Sequence, residues 1–158
     1  MESIGNLGFQ DIKKQTMSEL ICPFGVTLVK KDFGCKNARE IVRRGGAEIA
    51  CEHSDAHGIC SGLHNTVKTS ALRAMDLDDD LSTLPHSVSV KIQYGALLGL
   101  QALTATSARQ GNRVADISSL IATAMGEFHS LNNIPVESIN KTIIDYTTQR
   151  RRKKYKKP

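Results

Sequence analysis

The four cysteines of this chain all lie between residues 22 and 60, and the other 119 of its 158 residues contain none. They are Cys22, Cys35, Cys51 and Cys60, in the pattern C-x12-C-x15-C-x8-C. Packing alone does not predict that every thiol falls in 39 residues of the sequence. The confinement indicates a site built from four thiolates, and segment 22–60 is predicted to bind a metal centre.

The wide spacing favours an iron–sulfur cluster over a single metal ion. Structural zinc sites usually take their ligands from close C-x2-4-C or H-x3-5-H pairs, and this chain has no such cysteine pair. A [4Fe–4S] cube has four separate corners, which single cysteines from different elements can reach. Pro23 directly follows Cys22, as proline follows a ligand cysteine in ferredoxin-type motifs. The predicted cofactor is a [4Fe–4S] cluster on all four cysteines.

Zinc is the alternative cofactor, and its site would add histidines to the cysteines. The candidates are His53, His57 and His64, of which the last two share a helical face with Cys60 at i, i+3 and i+7. Disulfides or unliganded thiols are further readings, since the cysteine count is even. His86 and His129 are interpreted as ordinary surface or core residues.

The remaining composition predicts an all-α fold, an irregular bundle of about five helices with a loop-rich, cysteine-containing N-terminal third. Trp is absent and only 4% of the residues are aromatic, which suits packed aliphatic helices better than a β-sandwich. Apolar periodicity and breakers place the helices at residues 10–20, 36–44 (starting at Cys35 and stopped by Gly45-Gly46), 54–75, 87–107, 114–131 and from 135 onward.

Two shorter segments and one motif complete this assignment. Residues 26–29 are predicted to be extended, and residues 47–51 fit a strand or a helix equally well. Gly95-x3-Gly99 lies in the most apolar helix, where it predicts a close crossing with a neighbouring helix and marks the central helix of the core.

The C-terminal residues differ in charge from the rest of the chain. Residues 150–158 carry seven of the 21 cations and no acid, so residues 1–149 have a net charge of −2 against +5 for the whole chain. Residues 1–149 are predicted to form one domain and residues 150–158 a disordered tail that binds polyanions without sequence preference. The tail cations are Arg150, Arg151, Arg152, Lys153, Lys154, Lys156 and Lys157.

The expected location is the cytoplasm. Residues 1–5 lack a basic and apolar signal sequence. The longest apolar-rich run, residues 94–105, is far shorter than the roughly 20 residues that cross a bilayer. Disulfides are therefore not the expected resting state.

Two functions follow from these features. The first is a small iron–sulfur protein that transfers electrons or senses oxidants for a protein partner or enzyme complex. The alternative is a zinc-stabilised helical module that associates with nucleic acid through its tail. The sequence contains no G-x-S-x-G, P-loop, G-x-G-x-x-G or H-E-x-x-H motif, so an accessory or redox protein is favoured over an enzyme.

Overall fold

The computed structural model describes residues 20–77, 84–104 and 113–147. The predicted helix at residues 10–20 lies almost wholly outside these ranges, and the basic tail lies entirely outside them. The elements in chain order are α1 (Gly25–Val29), β1 (Ala38–Arg43), β2 (Gly46–Cys51), α2 (Ser54–Ala74), α3 (His86–Leu103), α4 (Ile117–Phe128), a 3-10 turn (Leu131–Asn133) and α5 (Val136–Asp145).

The prediction of an all-α fold is wrong. The chain is mostly helical, but β1 and β2 form a two-stranded antiparallel sheet where a helix over residues 36–44 was expected. The hairpin turn is Arg44-Gly45, and Gly45-Gly46 does not end a helix: Gly46 begins β2, pairs with Arg43 and has a φ of +125°. Glycine is the residue that accepts such a φ without strain.

Local sequence explains why this segment forms a hairpin. Ile41 and Val42 are β-branched, which favours an extended backbone. The charged residues, which in a helix would form a solvated face, instead make ion pairs between the two strands and at their ends. Arg39 pairs with Glu52 at 2.9 Å, and Arg43 pairs with Glu48 at 3.3 Å. Residues 47–51, which fitted a strand or a helix equally well, belong to strand β2. Cys35 precedes a strand and does not start a helix.

The short segment after Cys22 also differs from its prediction. Residues 26–29, expected to be extended, belong to the single-turn helix α1. Thr27 is fully buried there and its hydroxyl donates to the carbonyl of Phe24 at 2.8 Å. This local hydrogen bond stabilises the turn in place of a strand partner.

The long helices are confirmed, with shifts at their ends. α2 occupies the predicted segment, whereas α4 begins at Ile117 and ends at Phe128, three residues inside the predicted limits at each end. His129 takes a left-handed conformation with φ 71°, and the Asn133 side chain donates to the carbonyl of Phe128 at 2.8 Å. Both features end the helix before the predicted break.

The central helix of the core is α3, as the sequence predicts. A Cβ atom added to Gly95 would lie 2.5 Å from the Cα of Ile143 in α5, and one added to Gly99 would lie 3.3 Å from the Cα of Ile139. Both isoleucines are fully buried. The glycines therefore allow the close crossing of α3 and α5 that the Gly-x3-Gly spacing indicates.

In the described ranges, no helix has the length and apolar character needed to span a bilayer.

Replacing Gly95 with alanine should destabilise the fold by about 1–3 kcal/mol, because the new methyl group collides with the backbone of α5. Gly126→Ala is the matched control, since a Cβ at this helical position meets no atom within 4 Å. It should stabilise α4 by about 0.5–1 kcal/mol. Urea unfolding monitored by circular dichroism measures both. Equal effects of the two substitutions would contradict the close crossing.

Candidate metal centre

The four cysteines, which come from four separate parts of the chain, line one cavity. Cys22 precedes α1, Cys35 lies in the loop before β1, Cys51 ends β2, and Cys60 lies in the second turn of α2. The cavity volume is about 20 Å³, and all four side chains are half-buried free thiols. The remaining lining contains no acidic or basic side chain except His57: Pro23, Asn37, Ala38, Ala50, Ala56, His57, Ile117 and Ser118.

Strand β2 positions two of the thiols through its backbone. The N–H of Cys22 donates to the carbonyl of Ile49 at 2.9 Å, and the N–H of Cys51 donates to the carbonyl of Leu20 at 2.7 Å. Ile21 forms a bridge with Ala50 between these two bonds. Residues 20–22 therefore pair with the side of β2 opposite β1. Cys22 lies opposite Ile49 in this register, which makes it a diagonal neighbour of Cys51.

The start of α2 positions Cys60. The ring Nδ1 of His53 accepts the N–H of Ala56 at 3.2 Å, which caps the helix. The ring of His57 lies 3.0 Å from the carbonyl of Ile21 through Nε2, which must donate because a carbonyl only accepts. Cys60 follows His57 by three residues and shares its helix face. The first turns of α2 are thus bonded to the segment that carries Cys22.

The start of α4, which lies far from Cys35 in the sequence, positions the loop that carries Cys35. The N–H of Gly34 donates to the carbonyl of Val114 at 3.1 Å, and the N–H of Ile117 donates back to the carbonyl of Gly34 at 2.8 Å. A Cβ on Gly34 would lie 2.7 Å from the carbonyl oxygen of Ala115, so only glycine allows this approach.

Two side-chain bonds complete the attachment of the Cys35 loop. The N–H of Lys36 donates to Asp116 at 2.9 Å, and the amide of Asn37 donates to the hydroxyl of Ser118 at 3.2 Å. Although partial burial opposes it, the bonds from Ser119 and from the N–H of Lys36 lower the pKa of Asp116. Asp116 therefore remains a carboxylate that holds the loop against α4.

In the metal-free protein, the thiols of Cys22, Cys35 and Cys60 are protonated at neutral pH. Burial raises the pKa of Cys22 from 9.0 to about 11 and that of Cys60 from 9.0 to about 12. Burial also raises the pKa of Cys35, although the backbone N–H groups of Asn37 and Ser118 oppose this by hydrogen bonding to its sulfur. Charge on Cys22, Cys35 or Cys51 would further raise the pKa of Cys60, so the four sulfurs are close enough to repel one another when ionised.

The structure brings only one of the three candidate histidines to the cysteines. His57 lines the cavity, whereas His53 uses its Nδ1 as the helix cap. His64 packs edge-on against Phe24 with ring centroids 5.5 Å apart, and burial followed by the charge of Lys68 lowers its pKa to about 4. Within the ranges that the structure describes, no group of three or more His, Cys, Asp or Glu side chains is arranged to hold one metal ion.

The contribution of α4 to the site was not predicted. Asn37, Asp116 and Ser118 had no role in the predicted site, yet Asn37 and Ser118 line the cavity and Asp116 holds the loop. Asp116 before an apolar run is an N-cap signal that places the helix start at Ile117. The pairing of that start with Cys35, about 80 residues away, has no local signal.

No protein-family model, curated protein or solved structure matches this chain.

The metal-free, reduced protein should lose stability as the pH rises above 9. Folding raises the pKa of Cys22, so its contribution is fully present below pH 9 and is lost between pH 9 and about 11. Urea unfolding at pH 8 and pH 10.5 measures this loss. Because Cys22→Ser does not ionise there, the variant should lose less stability over the interval than the wild type. Identical losses would show that the Cys22 thiol is not buried.

Removing the carboxylate in Asp116→Ala should destabilise the metal-free protein by about 1–2 kcal/mol, since the N–H of Lys36 and the hydroxyl of Ser119 lose their acceptor. Asp145→Ala is the control, because the Asp145 carboxylate makes no hydrogen bond or ion pair with the described residues. Urea unfolding at pH 7 compares the two. An Asp116→Ala variant as stable as the control would exclude this attachment.

Proposed function

We propose that this chain binds a [4Fe–4S] cluster through Cys22, Cys35, Cys51 and Cys60 and serves a protein partner as an electron carrier or redox sensor. The observation that carries the proposal is the convergence of all four thiols, from four separate elements, on one cavity. Each thiol alone has an ordinary place in a core or at a surface. Their convergence on one cavity is what a four-cornered centre requires.

The chemistry of the cavity suits a soft, anionic centre. Its polar donors are sulfur, two uncharged side chains and one histidine, and no carboxylate competes for the metal. The first turns of α2 and α4 both contribute to its wall, and the positive end of each helix dipole stabilises negative charge there. The N–H groups that face the sulfurs of Cys22 and Cys35 would raise the reduction potential of a bound cluster.

Cluster binding requires the sulfurs to separate. The cavity volume of about 20 Å³ is that of roughly one water molecule, which is smaller than a four-iron cube. All four cysteines are half-buried, so we expect the cluster to lie towards the solvent side with the side chains turned outward. A partner protein would then exchange electrons at this exposed side.

A single zinc ion is less well supported. Zinc needs its ligands on one tetrahedron of bonds about 2.0–2.3 Å long, whereas the separate corners of a cluster accept sulfurs from different elements. Neither arrangement is preformed among the described residues. The predicted role of the tail in binding nucleic acid concerns residues 150–158 and is independent of the cysteine site. Four unpaired thiols and an oxygen-sensitive cofactor suit the reducing cytoplasm, which is the compartment we propose.

Anaerobic isolation, or reconstitution with ferrous iron and sulfide, should give a brown protein with about four irons and four acid-labile sulfides per chain. Each of the four Cys→Ser variants should lose most of the iron and the visible absorption. The matched controls are Ser61→Ala, beside Cys60 in α2, and His86→Ala, which lies outside the cysteine cavity. Both should bind iron like the wild type.

Reduction with dithionite should produce the electron paramagnetic resonance signal of a one-electron-reduced cluster, which returns to silence on reoxidation. Because metal binding must displace protons from thiols of raised pKa, iron retention should fall as the pH is lowered. Equal iron content in the wild type and all four Cys→Ser variants would refute the proposal. A colourless protein with one zinc per chain would replace it with the zinc alternative.

A further inference from the structure

A second and larger cavity adjoins the cysteine site. It is an open groove of about 340 Å³ between residues 21–30, strand β2 and the first turns of α3. This volume lies at the lower end of the range found for small-molecule sites. Cys22 contributes to the wall of the groove as well as to the cysteine cavity. A molecule in the groove would therefore lie beside one of the four thiols.

The body of the groove is aliphatic. Ile21 and Val29 line it while 41% and 37% exposed, and Val26, Ala47 and Ile49 extend the same surface. Both polar atoms of the Gln93 side chain are already hydrogen-bonded. Its Oε1 accepts the N–H of Val26 at 2.9 Å, and its Nε2 donates to the hydroxyl of Ser89 at 3.2 Å. The bond from Val26 fixes α1 against α3, and the bond to Ser89 holds the Gln93 side chain in place, so the apolar wall is formed before any ligand arrives.

The rim of the groove, formed by the exposed residues Lys30, Glu48 and His86, contains one lysine and one glutamate, and of these two the glutamate alone is paired with a described residue. Lys30 makes no ion pair with any described residue, whereas the neighbouring Lys31 pairs with Glu40 at 3.8 Å. The single acid at the rim, Glu48, is already paired with Arg43 at 3.3 Å. His86 adds a ring that can donate a hydrogen bond. An aliphatic groove with a free ammonium at its edge complements a ligand that has an apolar tail and one negative charge.

We infer that this groove binds a small amphipathic carboxylate, with the hydrocarbon portion against Ile21, Val26 and Val29 and the carboxylate on Lys30. Binding itself does not depend on the proposed cluster. The consequence of binding rests on the proposed function. A carboxylate bound against Cys22 would change the surroundings of a cysteine that holds the cluster, so the cluster would respond to occupancy of the groove.

Isothermal titration of the full chain in its metal-free, reduced form with octanoate tests the binding. Saturable binding of one octanoate is expected, with at least tenfold weaker binding of octanamide, which lacks the charge, and of acetate, which lacks the tail. Lys30→Gln should weaken octanoate binding about tenfold, and the control Lys31→Gln should leave it unchanged. Ala47→Phe, which fills the groove from the exposed face of β2, should abolish it.

Several results would overturn the inference. They are no saturable binding of octanoate, equal binding of octanoate and octanamide, or equal weakening by Lys30→Gln and Lys31→Gln. Circular dichroism in the ultraviolet checks that Ala47→Phe remains folded. In the iron-loaded protein, octanoate should shift the visible circular dichroism of the cluster in the wild type and not in Ala47→Phe. If the metal-free protein binds octanoate but no cluster can be loaded, the groove assignment stands and the proposed function fails.

Discussion

The arrangement of this molecule depends on strand β2 being paired along both sides. β1 pairs with one side in a register that sets Ala38 opposite Cys51, and residues 20–22 pair with the other side through Leu20 and Cys22. Backbone hydrogen bonds fix both registers. A slip by one residue would move every side chain of the strand to the opposite face of the sheet. The positions of Cys22, Cys51 and the loop that carries Cys35 follow from this pairing.

The helices supply the stability that a two-stranded sheet with one bridged segment lacks. A small sheet is marginal in water without a helix packed on it, and α1, which begins at Gly25, and α2 both pack against β2. The core beneath them is organised by α3, whose Gly95 lets α5 approach to direct backbone contact. The N-terminal ends of α2 and α4 then reach the cysteine cavity from two directions. The packing thereby adds Cys35 and Cys60 to the pair of thiols held by the sheet.

The sequence predicted the parts of the structure that local patterns encode. Apolar positions at a period of 3.6 located α2, α3, α4 and α5, and Gly95-x3-Gly99 indicated a close crossing with a neighbouring helix. The hairpin was misassigned because its evidence is ambiguous: Arg39, Glu40 and Arg43 suit a solvated helix, and Gly45-Gly46 suits a helix end as well as a turn. The β-branched pair Ile41-Val42 is the local signal for a strand, but the charged residues and the glycine pair around it favoured a helix.

The candidate site divides in the same way. Confinement of the cysteines to 39 residues indicated that they meet, and they do line one cavity. Cys35 does lie beside the start of a helix, but that helix is α4, which no spacing rule connects to residue 35. His64 illustrates the limit of helical periodicity: it shares a face with Cys60, yet it packs on Phe24 and not in the cavity. Contacts between distant segments depend on the whole packing and leave no local pattern.

X-ray absorption at the iron edge, on protein isolated without oxygen, tests most directly whether one inorganic centre joins the four sulfurs. The account predicts that iron is coordinated by sulfur alone, with iron–iron scattering at the short separation of a cluster, and that both features vanish in the variant with all four cysteines changed to serine. Iron bound through nitrogen or oxygen, or no bound iron in the wild-type protein, would contradict it.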